Sequence, residues 1–133
     1  MDTQPTRILL SGLPGRMCGE VARRLAELPD EFPLIESALV GPDVAGGSVQ
    51  AAGRAFAAIP PAAREEWIAK AAALRPFLAV DYTLPSAVEQ NVEFYCRHGI
   101  PFVMGTTGVD MQKVKARIAD SNVTAVVAPN MAM

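Results

Sequence analysis

The chain has 133 residues, 50% of them hydrophobic and 20% charged, with a formal net charge of −2. That length allows one domain of ordinary size, and the composition excludes a disordered tail or a coiled coil. The slight negative charge argues against a phosphate backbone as the main partner; two cysteines without CxxC spacing make neither a disulfide scaffold nor a zinc ribbon, and one histidine cannot supply a multi-histidine metal site.

Residues 7–11 form a short apolar run that stops at Gly12, as a buried strand does. A helix is predicted over residues 16–28, with Met17, Val21, Leu25 and Leu28 as its apolar stripe. Glu20 with Arg24 and Arg23 with Glu27 would face solvent at i,i+4 spacing, and Pro29 and Pro33 would close the element. Residues 34–40 read as a second strand, with Glu36 turned away from the core. The alanine-rich stretch 43–74 is the least legible; it holds a short strand near residues 54–58. A helix then runs from Pro61 to about residue 74, on a stripe of Trp67, Ala71 and Leu74.

The second half has a firmer pattern. Residues 77–82 form an apolar strand. Ser86 and Glu89 have capping-box spacing ahead of Val88, Val92, Tyr95 and Cys96, and Gly99 stops that helix. His98, at the helix end, is expected to meet the last carbonyls. Residues 100–104 form another strand and Gly105-Thr106-Thr107-Gly108 a turn. Asp110 caps a helix carrying Met111, Val114 and Ile118, Asn122 closes it, and residues 123–127 are the last strand. Strands alternating with helices, and apolar along their length, imply a doubly wound, Rossmann-like α/β fold: a mostly parallel sheet with helices on both faces. The whole chain, 1–133, reads as one dinucleotide-binding domain. No apolar run approaches the ~18 residues of a membrane span and the N-terminus lacks a signal-peptide pattern. The expectation is a soluble, cytoplasmic protein with neither membrane nor nucleic-acid partner, or a plastid-stroma protein if the source is a photosynthetic eukaryote.

Three loops could carry chemistry. Gly12 to Gly15 follow the first strand and open a helix, the setting in which backbone N–H groups and the helix dipole hold a pyrophosphate; Arg16 adds charge. Asp81-Tyr82-Thr83-Leu84-Pro85 and Gly105-Thr106-Thr107-Gly108 follow later strands at their carboxyl ends, where open α/β sheets bind ligands. The usual acid at the end of the second strand is missing: only Asp43 lies beyond it, and no Arg or Lys falls between Arg24 and Arg54. Neither an NAD nor an NADP signature is complete. Cys18 and Cys96 read as small core or turn residues.

Together, Gly12-Leu13-Pro14-Gly15-Arg16-Met17, Val80-Asp81-Tyr82-Thr83-Leu84-Pro85, then Asn91, Cys96 and Gly99, then residues 102–108 and Ala128-Pro129-Asn130-Met131 give the chain a resemblance to the dihydrodipicolinate reductase (4-hydroxy-tetrahydrodipicolinate reductase) family, in its plant-type branch. The resemblance covers nearly the whole chain, as that family's N-terminal cofactor domain. It implies that NADPH or NADH is the cofactor. Gly12, Gly15 and Arg16, with Met17 beside them, would hold its pyrophosphate. Thr83, Gly105, Thr106 and Thr107 would line the ribose and nicotinamide, and Ala128, Pro129, Asn130 and Met131 would flank the nicotinamide. Thr107 would also touch the small-molecule substrate. The family's substrate domain, with its catalytic residues, would lie beyond this chain, which then holds no catalytic residue and is inactive alone; the full-length form would be a homo-oligomer. Cys18 stands where the family usually has glycine, with Gly19 one place later, and is expected to crowd the helix–strand contact or shift the turn by one residue. The alternative function is a non-catalytic Rossmann-like binding or assembly subunit.

Overall fold

The computed structural model describes residues 5–44, 47–105 and 110–127. Its strands are β1 (Arg7–Ser11), β2 (Leu34–Leu39), β3 (Ser48–Ala51), β4 (Arg54–Ile59), β5 (Phe77–Asp81), β6 (Phe102–Met104) and β7 (Ala125–Val127). The helices are α1 (Arg16–Leu25), α2 (Arg64–Lys70), α3 (Pro85–His98) and α4 (Met111–Ala119), with 3-10 turns at Pro61–Ala63 and Ala71–Leu74 flanking α2. The seven strands lie in one sheet, in the order β3-β4-β2-β1-β5-β6-β7. Every pairing is parallel except β3 with β4. Setting β3 aside, the parallel strands run 3-2-1-4-5-6, the doubly wound order, and the chain reverses direction across the sheet between β1 and β5.

Alternate residues along each strand feed two cores. Ile8 and Leu10 of β1 join Leu34, Ala38, Val49 and Phe56 on one face, where Cys18 and Ala22 of α1 cover them. Leu9, Leu39, Phe77, Ala79, Phe102 and Met104 point to the other face, beneath Ile68 of α2, Val88, Val92 and Tyr95 of α3, and Val114 of α4. Right-handed crossovers require this division: β1 to β2 steps one way along the sheet and the later crossovers step the other.

Several expected details change. Helix α1 ends at Leu25, and its buried residues are Cys18 and Ala22; Leu28 is exposed beyond the end. Its ion pair is Arg23 with Glu20, one turn back, in place of the i,i+4 pairs. Strand β3, absent from the sequence reading, forms a hairpin with β4 through Ala52 (φ 55) and Gly53 (φ 73), the positive-φ pair of a two-residue turn. The helix after Pro61 divides into a 3-10 turn, α2 and a second 3-10 turn, and buries Arg64, Ile68 and Ala71, with Trp67 and Leu74 half-buried. No capping box forms at Ser86, because Pro85 takes the first helical position and Leu84 is the cap. Helix α4 ends at Asp120 rather than Asn122, and β6 and β7 are each two residues shorter at their starts. His98 contacts Glu65 at 2.9 Å, while Arg75 donates to the His98 carbonyl.

Gly99 (φ 67) closes α3 in the left-handed conformation, as expected. Asp110 caps α4 as expected, its carboxylate accepting from the Gln112 and Lys113 N–H groups at 3.1 and 3.3 Å. Asp110→Ala should therefore lower stability by about 1 kcal/mol in urea unfolding, with the slope of the transition unchanged.

Candidate functional site

The end of β1 is where the loops converge. Ser11 is in register with Leu39 of β2 and Asp81 of β5. Gly12 N–H donates to the Leu39 carbonyl, Tyr82 N–H to the Ser11 carbonyl and Gly105 N–H to the Asp81 carbonyl. The turns after β1, β5 and β6 thus start side by side at the carboxyl edge of the sheet. Gly12, Gly15, Arg16, Met17, Thr83 and Gly105 lie on these turns and at the start of α1. Thr106, Thr107, Ala128, Pro129, Asn130 and Met131 lie outside the described residues.

The glycines of the first loop have different reasons. Gly12 has φ +127, and a Cβ there would sit 2.4 Å from the Tyr82 carbonyl oxygen and 3.4 Å from Cys18 Cβ. Gly15 bonds back to the Gly12 carbonyl at 2.8 Å, and a Cβ on it would lie 2.7 Å from that same oxygen. Both are required by the protein's own backbone before any ligand arrives. Gly19 has nothing within 4 Å of its missing Cβ. Cys18, expected to crowd the contact or shift the turn, instead fills the space beneath Gly12 and is fully buried. Burial pushes its thiol from 9.0 up to about 12, aided by the Asp81 charge, so it is a neutral packing group.

Helix α1 starts with no side-chain cap and no acid in its first turn. Its leading N–H groups point out of the turn with the positive end of the dipole, and Arg16 beside them is exposed with no ion pair among the described residues. That donor set fits a diphosphate. On the β2 side, Asp43 is exposed in the turn beyond the strand, and Arg54 lies at the opposite edge, at the start of β4.

Beneath the crevice runs a buried polar chain. The Asp81 carboxylate, with no solvent exposure, accepts from Thr83 N–H (3.2 Å), Thr83 Oγ1 (2.7 Å), Asn91 Nδ2 (3.0 Å) and the Tyr95 hydroxyl (2.6 Å). Asn91 Nδ2 also lies 3.3 Å from Thr83 Oγ1, and Asn91 Oδ1 accepts from Arg64 Nη1 at 2.6 Å. Burial holds the Arg64 guanidinium below its ordinary value, against the pull of Tyr95 and Asp81. Burial, and Asp81 next to it, push the Tyr95 hydroxyl well above its usual range. Sequence reading found Asp81 and Thr83 but gave Arg64 and Tyr95 no role at the site. The available signal was polarity out of phase: Arg64 shares a helical stripe with Ile68 and Ala71, and Asn91 one with Val88, Val92 and Tyr95. A separate cleft of about 280 Å³ between α3 and α4, lined by Val92, Val114 and two acid–base pairs, is on the outer helical layer and away from these loops.

The family described as dihydrodipicolinate reductase, N-terminus, matches residues 6–131. The chain belongs to that family. Dihydrodipicolinate reductases use NAD(P)H, and this N-terminal domain is their nucleotide-binding part. The chain is 36% identical over 126 residues to a rice protein named probable 4-hydroxy-tetrahydrodipicolinate reductase 1, chloroplastic, covering 93% of this chain and 36% of that one. It is 33% identical over 125 residues to the Arabidopsis thaliana 4-hydroxy-tetrahydrodipicolinate reductase 1, chloroplastic, covering 93% of this chain and 35% of that one. It is 30% identical over 134 residues to the Thermosynechococcus vestitus reductase, covering 97% and 48%. The chain therefore spans about a third to a half of the length of these curated relatives. The plant relatives agree with the plant-type wording of the motifs. No described helix is long and apolar enough to cross a membrane.

The geometry of the β1–α1 turn and the start of α1 yields two predictions. Gly12→Ala should destabilise the fold, because both the positive φ and the Tyr82 carbonyl oppose it. Gly19→Ala, in open space inside α1, should stabilise it by about 1 kcal/mol; chemical denaturation of the two variants checks the sign of each. Because the folded state keeps Cys18 protonated above its ordinary value, that stabilisation is complete below about pH 9 and drains away as pH rises towards about 12. Unfolding free energies at stepped alkaline pH should fall less steeply in Cys18→Ala, with Tyr95, also raised by burial, contributing to the remaining decline.

Proposed function

We propose that this chain is the NAD(P)H-binding part of a 4-hydroxy-tetrahydrodipicolinate reductase, which reduces the intermediate derived from 4-hydroxy-tetrahydrodipicolinate to tetrahydrodipicolinate in the diaminopimelate–lysine pathway. The observation that carries the reading is the uncapped start of α1, with exposed Arg16, opening beside Tyr82 and Thr83 where the strand order reverses. The N–H groups of the α1 start and the Arg16 guanidinium hold the pyrophosphate. Thr83 and Gly105 border the ribose and nicotinamide. The family resemblance assigns the remaining cofactor contacts to residues 106–107 and 128–131, and a carboxylate of the substrate to Thr107. When bound, the nicotinamide supplies a hydride; the domain's own part is orientation, fixing the donor against a substrate held by the remainder of the enzyme. The rice and Arabidopsis relatives are named chloroplastic, which supports a plastid compartment if the source is a photosynthetic eukaryote.

With neither an acid placed to grip the ribose nor a dedicated cation for a 2′-phosphate among the described residues at the end of β2, both cofactors should bind. Calorimetric titration with NADPH and with NADH tests this directly. Arg16→Ala should weaken both by about tenfold, the loss of one charge-assisted contact. Unchanged affinity in Arg16→Ala would remove the pyrophosphate from this turn, and failure of the parent chain to bind either nucleotide would sink the reading.

A further inference from the structure

Arg64 occupies a costly place. It is the first residue of α2, at the positive end of that helix, and is 5% exposed. Its Nε has no acceptor among the described residues. A buried guanidinium is expensive unless its surroundings need it. Its two donating nitrogens reach different parts of the site. Nη1 donates to Asn91 Oδ1 at 2.6 Å, and Nη2 reaches the Val40 carbonyl at 3.4 Å, just past the end of β2. The Phe94 ring, 5.8 Å from the guanidinium carbon, supports it from below.

Asn91 relays the tie. Its oxygen faces a group that can only donate, and its amide nitrogen faces the Asp81 carboxylate, which accepts. The amide can therefore take one orientation, with cation and carboxylate on opposite sides of it. Asp81 in turn holds the Thr83 N–H and hydroxyl. One cation thus links the loop after β2 to the loop after β5, and β1 with its glycine turn lies between those two strands.

We propose that Arg64 and Asn91 are positioning residues that fix the spacing between the ends of β2 and β5, and so set the width of the crevice in which the dinucleotide lies. This rests on the dinucleotide reading of the same crevice. Neither residue needs to touch the ligand; both act through Val40, Asp81 and Thr83.

The test uses the chain with NADPH as titrant. Affinity by calorimetry and melting temperature are measured for the parent, Arg64→Met, Arg64→Lys and Val114→Ala. Arg64→Met keeps an apolar stem of similar length, so the fold can persist while the tie is cut. The expected result is a dissociation constant raised about tenfold in Arg64→Met, and partial recovery in Arg64→Lys, which keeps the charge but not the fork. Val114→Ala, a truncation in the same core layer, should lower the melting temperature and leave the dissociation constant near the parent value. If Arg64→Met binds NADPH like the parent, or if binding in all variants simply tracks melting temperature, Arg64 is structural and the proposal is overturned. Should Arg64→Met not fold, Arg64→Lys decides: weakened binding at a near-parent melting temperature supports the proposal, and parent-like binding overturns it. A parent chain that binds no NADPH would instead overturn the dinucleotide reading, and this proposal with it, a result separate from any variant.

Discussion

A carboxylate sealed from water at the end of a central strand must be fully hydrogen-bonded or be lost from the fold. Asp81 meets that demand with four donors drawn from its own turn and from α3. Much of the carboxyl edge follows from that demand. Satisfying the carboxylate fixes the turn that carries Thr83, requires Asn91 and Tyr95 to lie on one stripe of α3, and brings Arg64 inward from α2. A polar chain of this kind is valuable only when complete, because each unmet member costs more than an apolar replacement would. Around Asp81 and Asn91 it is complete, which gives the crevice floor a single arrangement, while Arg64 Nε is left without an acceptor among the described residues.

Backbone proximity imposes a second constraint at the same edge. Gly12 lies so close to the Tyr82 carbonyl that no side chain fits, and the space under it is taken by Cys18. The glycine turn is thus shaped first by strand–strand and helix–strand packing. What this packing leaves exposed, an uncapped helix start beside an arginine, is suited to an anion. Cys18 is absorbed by the core, its side chain filling the space beneath Gly12.

Local signals were legible where they are local by nature. The glycine that ends α3, the aspartate that caps α4 and the runs of β1 and β5 follow from φ preference, side-chain reach and apolar continuity over a few residues. The misreadings have equally physical causes. Helix α1 is covered by small residues, Cys18 and Ala22, so the larger Met17, Val21 and Leu25 marked the edge of the buried stripe rather than its centre. Ser86 had capping-box spacing, but Pro85 was already suited to the first turn. The β3 strand is four residues long with two exposed side chains, and only pairing with β4 makes it a strand.

The sequence by itself determined that strands alternate with helices, that glycine and small polar loops follow β1, β5 and β6, and, through the joint wording of those loops, which family the chain belongs to. Those properties reside in neighbouring residues and survive in a one-dimensional reading. Only the tertiary structure decided that β1 is the strand between the two directions of winding, that Gly12 answers to the Tyr82 carbonyl, and that Arg64 reaches Asp81 through Asn91. Arg64 and Asn91 are 27 positions apart and Asn91 and Asp81 are 10 apart. No local periodicity relates them; crossover paths and the need to satisfy buried charge bring them together.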